Sequence, residues 1–207
     1  PSGLEIFILD GKKRYIPTNS KNLVYKSMQE VFCYVGCHPK GLRLKLTNNI
    51  PITRGLGSSS ACIVGGLFAA NAMLGNPLSK DELIFMAAKM EGHPDNSTPA
   101  ILGGFVVAVA GDKKIHYVRM DITDDIKFGV FIPNFPLPTK EARGVLPELV
   151  SHRDAVFNTG RAALLAASFA TGNLDHIAHA MEDRLHQPYR RNLVPGMNEI
   201  FKVCKDF

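Results

Sequence analysis

The sequence predicts an α+β fold on three observations. Residues 42–46 (Leu-Arg-Leu-Lys-Leu) alternate with the period of a half-buried strand, and residues 105–110 (Phe-Val-Val-Ala-Val-Ala) form a short apolar run bounded by turn residues. Helical stretches with their own start and stop signals lie between and after them. The strand signals come with hairpin turns, which sets this pattern apart from the crossover repeat of a doubly wound parallel sheet.

In chain order, residues 5–9 and 14–16 read as strands around Asp10-Gly11, a strong hairpin dipeptide. Asn22 opens a helix to about Val35, with Leu23, Met28, Val31, Phe32 and Val35 on one face. After strand 42–46, Pro51, Gly55 and Gly57 cannot continue a strand, so residues 50–57 form a loop. Residues 58–74 are rich in Ala, Gly and Cys, which predicts a buried helix packed closely on a sheet; Gly75-Asn76-Pro77 stops it. Ser79-Lys80-Asp81-Glu82 is a capping box opening a helix to about Met90. Strand 105–110 then pairs with 114–120. The polar, acidic stretch 121–125 marks a boundary, giving expected domains 1–122 and 123–207. The second segment reads as a strand at 127–133, a short helix near 139–146, and longer helices at 153–170 and 174–185.

Composition narrows the function classes. Of 207 residues, 45% are apolar and 21% charged, enough for a packed core and unlike a disordered chain. The net charge of +5 favours an anionic partner. It would admit RNA, but no aromatic-interleaved basic patch supports that, so no nucleic acid is expected. The longest apolar runs, 61–70 and 100–110, are interrupted by glycine and fall short of the roughly 20 residues of a bilayer helix, so no membrane span is expected. The first residues lack a signal peptide, and a cytoplasmic location is expected. Cys33, Cys37, Cys62 and Cys204 read as reduced thiols, the first two as core packing. His176, His179, Glu182 and His186 fall on one face of the helix expected at 174–185. They read as a solvated face rather than a zinc site, because no further ligand group accompanies them.

The informative segment is Pro51, Ile52, Thr53, Arg54, Gly55, Leu56, Gly57, Ser58, Ser59, Ser60 and Ala61, between a strand and a small-residue helix. Glycines let backbone approach an anion, and a helix start offers N–H groups and a positive dipole end. Three serines add hydroxyls and Arg54 adds charge, so the segment reads as a phosphate cradle. It is not a Walker A loop, since no Gly-Lys precedes a Ser or Thr, and a dinucleotide fingerprint would need glycine at Ser60.

This segment resembles the central motif of the GHMP kinases, which wraps nucleotide phosphates without a Walker lysine. Three further blocks occur in the family's order: Glu91-Gly92-His93-Pro94-Asp95-Asn96 with residues 99–105, then residues 139–147 (Thr-Lys-Glu-Ala-Arg-Gly-Val-Leu-Pro), then 188–195 (Pro-Tyr-Arg-Arg-Asn-Leu-Val-Pro). Together they resemble the branch whose acceptor is L-homoserine. The resemblance implies a ribosomal protein S5 domain 2-like N-terminal domain and a ferredoxin-like C-terminal domain. It also implies ATP and Mg2+ as cofactors, with magnesium held by Ser59 and Glu91, and a nucleotide bordered by Asn22 and Val24 and wrapped by Pro51–Ala61. Asn96, Thr139 and Arg143 are implied as catalytic and substrate-binding, and Arg190 as substrate-binding. Arg143 and Arg190 suit the acceptor carboxylate because a guanidinium forks onto it. Asp95 is expected to be structural or polarising rather than a base, the hydroxyl proton passing toward the γ-phosphate. Two alternatives stay open: a GHMP kinase for another small alcohol, and a non-catalytic nucleotide-binding S5-like module. A homodimer is also left open.

The chain is expected to be an interior piece. Pro1 is no initiator, and residues 200–207 read as a helix still running. The family's amino-terminal Asn/Gly motif has no match before Glu5, nor its glycine-rich carboxy-terminal motif after Arg190. On that reading the chain carries the phosphate loop without a complete active site.

Overall fold

The computed structural model describes residues 3–9, 16–123 and 126–205. They group into two compact units, Pro1–Pro51 with Leu56–Arg119, and Ile52–Gly55 with Met120–Phe207. The α+β class holds.

In the first unit, β1 (Gly3–Ile8) pairs in parallel with β2 (Gly41–Leu46), Ile6 opposite Leu44 and Ile8 opposite Leu46. The connection between these two strands carries α1 (Leu23–Val35). The expected Asp10-Gly11 turn and residues 14–15 of its second strand lie outside the described residues, and Ile16 sits in a bend. Asn22 is buried as the N-cap of α1: its Oδ1 accepts from the N–H of Val24 at 3.0 Å and of Tyr25 at 3.3 Å, and its Nδ2 donates to the Pro17 carbonyl at 2.7 Å. The helix ends at left-handed Gly36, where the N–H of Cys37 returns to the Phe32 carbonyl. Cys33 and Cys37 are exposed, not in the core; Cys33 lies off the buried face formed by Met28, Val31 and Phe32, and Cys37 lies beyond the Gly36 cap.

The small-residue helix α2 (Ser58–Met73) packs closely on α1 and shares a core cluster with Leu42 of β2. Gly66 shows why the helices come so close. A Cβ at this position would lie 2.5 Å from the Val24 carbonyl oxygen and 2.7 Å from Ser27 Cβ, so the helices cross where only glycine fits. Around that crossing Met28, Val31, Phe32, Ile63, Leu67 and Leu83 form the core. α3 (Lys80–Glu91) starts at the expected capping box, Ser79 accepting from the Glu82 N–H while Glu82 accepts from the Ser79 N–H. α4 (Pro94–Leu102) was not anticipated, because Asn, Ser, Thr and an internal Pro99 are poor helix formers. Pro94 in its first turn and Asp95 beside the positive end favour it locally, and packing on α3 completes it. β3 (Phe105–Ala110) and β4 (Ile115–Met120) form the expected pair, closed by Gly111 N–H to the Lys114 carbonyl at 2.9 Å.

The second unit differs from expectation twice. Residues 127–133 are not a strand, since none of the described residues from 121 to 205 supplies a strand to pair with. Nor are residues 174–185 one helix. After α5 (Thr139–Gly144) and α6 (His152–Thr171) comes only a single turn, α7 (Ile177–Ala180), before the Asp183 carboxylate takes the N–H groups of Leu185, His186 and Gln187 off the helical ladder. His176, His179, Glu182 and His186 therefore share no helix face. α8 (Gln187–Arg190) and α9 (Met197–Lys205) follow, separated by a 3-10 turn at Arg191–Leu193. Among the described residues no helix is long and apolar enough to cross a membrane.

Candidate active site

The glycines of the loop adopt the conformation their chemistry allows. Gly55 and Gly57 have φ of 70° and 72°, in the left-handed region, and Gly57 is the N-cap of α2. With no side chain to cap it, the helix presents its first N–H groups and positive end to whatever approaches. Ile52–Gly55 groups with the second unit, where the Thr53 carbonyl accepts from the Leu137 N–H at 3.1 Å just ahead of α5. Arg54 is half-buried and turns back locally, its Nη1 3.5 Å from the Thr53 carbonyl and hydroxyl oxygens.

The three serines of the α2 start differ in environment. Ser58 Oγ accepts from Asn48 Nδ2 at 3.5 Å, and Ser59 is exposed. Ser60 is 1% exposed and donates to Glu91 Oε1 at 2.5 Å. Glu91 is the last residue of α3, where the helix dipole opposes a carboxylate. Its second oxygen, Oε2, is buried without a hydrogen-bond partner. A buried carboxylate oxygen left unmatched beside a hydroxyl is a donor set that fits a hard divalent cation. The serine against Glu91 is thus Ser60, one place beyond the residue singled out from the resemblance; helical geometry turns Ser59 outward. At Cys62, two residues further along, burial pushes the thiol pKa up, which disfavours the thiolate.

Asn22 and Val24 are already engaged in the fold, the first as a cap and the second at the Gly66 crossing. Asn96 is exposed in the first turn of α4, 3.5 Å by its Nδ2 from Asp95 Oδ1, and Asp95 is also hydrogen-bonded to His93 Nδ1. Sequence reasoning passed over His93; its place two residues before Asp95, ahead of a proline-started helix, is the signal that could have found it. The remaining candidates lie in the second unit. Thr139 opens α5 and Arg143 lies on it. Arg190 ends α8, and its Nε donates to the Ala142 carbonyl at 2.9 Å, which brings the two arginine-bearing helices together.

A carboxylate with an unmatched buried oxygen beside an uncapped, glycine-started helix, on an α+β scaffold, is suited to holding an anion together with a cation. A family profile described as GHMP kinases N terminal domain matches residues 22–104. The chain belongs to the GHMP kinase family. Within it, the chain is 54% identical over 192 residues to the homoserine kinase of Caldicellulosiruptor saccharolyticus, covering 93% of this chain and 62% of that protein. A crystal structure of homoserine kinase from Cytophaga hutchinsonii superposes with a TM-score of 0.86 at 28% identity, covering 100% of this chain and 67% of that one. A Listeria monocytogenes structure assigned as a homoserine kinase gives a TM-score of 0.75 at 30% identity, covering 100% and 68%. The chain spans about 62% of the length of the first of these relatives.

Proposed function

We propose that this chain carries the phosphate loop and acceptor anchors of a kinase that transfers the γ-phosphoryl group of ATP to the hydroxyl of L-homoserine, giving O-phospho-L-homoserine and ADP. The observation that carries the kinase reading is Glu91, its Oε1 held by Ser60 and its Oε2 buried and unmatched beside the α2 start. The choice of acceptor draws on the names of the relatives and on Arg143 and Arg190, whose helices meet at the Ala142 carbonyl.

Phosphoryl transfer asks a protein mainly for alignment and charge neutralisation. The loop Pro51–Ala61 wraps the phosphates, with the N–H groups at the start of α2 meeting their oxygens. Glu91, with the Ser60 hydroxyl against it in the place expected for Ser59, would hold magnesium, which when bound neutralises charge on the nucleotide's phosphates. The segment around Asn22 and Val24 borders the base. In the second unit Arg143 and Arg190 anchor the acceptor carboxylate, with Thr139 at its polar groups. Asp95, engaged by His93, orients the first turn of α4, and the hydroxyl proton passes toward the transferred phosphoryl group. The same reading takes the first 122 residues as an S5-like domain and the rest as part of a ferredoxin-like one, in a cytoplasmic enzyme.

A coupled ADP-release assay on the full-length protein tests this. Turnover with L-homoserine, and none with mevalonate or galactose, is the expected result. Turnover only with another alcohol would move the acceptor, and nucleotide binding without turnover would leave a binding module. Arg190→Ala should raise the KM for L-homoserine with the KM for ATP unchanged; an unaltered homoserine KM would remove Arg190 from the anchor.

A further inference from the structure

Arg190 lies on α8, a four-residue helix, which cannot hold its shape alone. Four consecutive backbone N–H groups show what holds it. Arg184 N–H donates to Asn158 Oδ1 at 2.9 Å, Leu185 N–H to Asp183 Oδ1 at 3.2 Å, and His186 N–H to Asp183 Oδ2 at 2.7 Å; Gln187 N–H donates to that same Oδ2. Asn158 Nδ2 closes the pair by donating to Asp183 Oδ1 at 2.6 Å. Asn158 belongs to α6, a 20-residue helix capped by Ser151, so a long, regular element dictates where α8 begins. Three residues beyond Gln187, Arg190 Nε reaches the Ala142 carbonyl, one residue from Arg143. With Nε committed to backbone, the Nη1 and Nη2 groups of Arg190 are the ones suited to fork onto a carboxylate.

We infer that Asn158 and Asp183 are positioning residues for the acceptor's carboxylate, acting through the α8 turn on Arg190. This rests on the reading of the site given above and extends it to residues outside the motifs that carry the resemblance. The charge and shape of Asp183 both matter. Its two oxygens accept from four donors, Asn158 Nδ2 and three N–H groups, and an asparagine there would turn an NH2 group toward those donors. Asn158 in turn is the group that serves both Asp183 and the Arg184 N–H, a double role that a hydrophobic residue cannot fill.

The test is steady-state kinetics on the full-length enzyme with Asp183→Asn and, separately, Asn158→Ala. The acceptors are L-homoserine and 3-aminopropan-1-ol, which is homoserine without its carboxylate. Asp183→Asn is expected to raise the KM for L-homoserine about tenfold, the size of a lost hydrogen bond to a charged group. The KM for ATP should stay within about twofold of wild type. So should kcat/KM for the amino alcohol, or its inhibition constant where it does not turn over. Asn158→Ala should move the same parameter in the same direction. Equal losses on both acceptors, or an unchanged homoserine KM in both variants, would overturn the inference. Failure of both variants to fold would also count against it, because the pair would then hold the domain rather than the arginine. Wild-type enzyme that does not turn over homoserine would instead sink the proposed reaction itself.

Discussion

The two compact units hold their residues in place by different physics. Among the described residues the buried apolar side chains lie almost all in the first unit, from Ile6 to Ile115, and the second contributes Ala180. The first is a dry core around the α1–α2 crossing. The second relies on ion pairs and stacking around α6: Arg161 and Arg184 stand 3.2 Å and 3.7 Å from the Phe157 ring centroid, Arg161 pairs with Glu182 at 2.5 Å, and Arg184 with Asp154 at 3.3 Å. A dry core resists solvent and pH and suits a helix start, that of α2, which presents backbone N–H groups in fixed directions. A polar lattice is specific in geometry but exposed to acid and salt. The difference teaches that the unit carrying the α2 start and the unit carrying Arg143 and Arg190 can fail separately.

That contrast can be broken by experiment. The largest effect is expected from Glu91→Gln, which removes the charge on the unmatched oxygen. Magnesium-dependent turnover should fall beyond the roughly 10–100-fold typical of an outer-shell partner, while thermal stability changes little. Phe32→Ala, in the fully buried core, should cost about 3–5 kcal/mol in denaturant unfolding. Phe157→Ala should cost about 1–2 kcal/mol, the scale of its cation–π contacts. Equal losses from the two would erase the distinction between core and lattice.

A pH titration sharpens the comparison. Hydrogen bonds from Ser151 and then Arg184 hold the Asp154 carboxyl below its ordinary value, and Arg161 holds Glu182 low. For Asp183 burial pushes up, but donors from Asn158, Gln187, His186 and Leu185 outweigh it and the net direction is down. A carboxyl depressed in the folded state contributes stability that is present above its unfolded value and lost as pH falls through the folded one. Between about pH 4 and pH 2 the amides of residues 152–190 should therefore lose hydrogen-exchange protection before those of residues 23–35 and 58–73. Simultaneous loss would show one cooperative unit. The smallest expected effect is Ser151→Ala at the exposed start of α6, below about 1 kcal/mol, against about 2 kcal/mol for Asn22→Ala at the buried start of α1, both read by thermal unfolding.

Legibility in the sequence followed the range of the interactions. The caps at Asn22 and Ser79 and strand 105–110 were readable because their signals lie within a few residues of the element they define. The cradle chemistry of Gly55 and Gly57 was likewise local. Residues 127–133 misled, because strand propensity in Phe128, Val130 and Ile132 becomes a strand only beside a partner. The helix expected at 174–185 misled for a similar reason: the groups that unmake it, Asn158 and Asp183, include one that is 25 residues away.

By itself the sequence determined the α+β class, the glycine-started helix and the family its motifs resemble, all of them consequences of short-range backbone and side-chain preference. Tertiary structure decided which serine meets Glu91, that α2 lies against α1 at Gly66, and that an amide on α6 sets the place of Arg190. The reason is physical. A helix start or a turn is specified by its neighbours in the chain. A hydrogen bond between residues 60 and 91, or between 158 and 183, exists only once packing has brought distant segments within 3 Å.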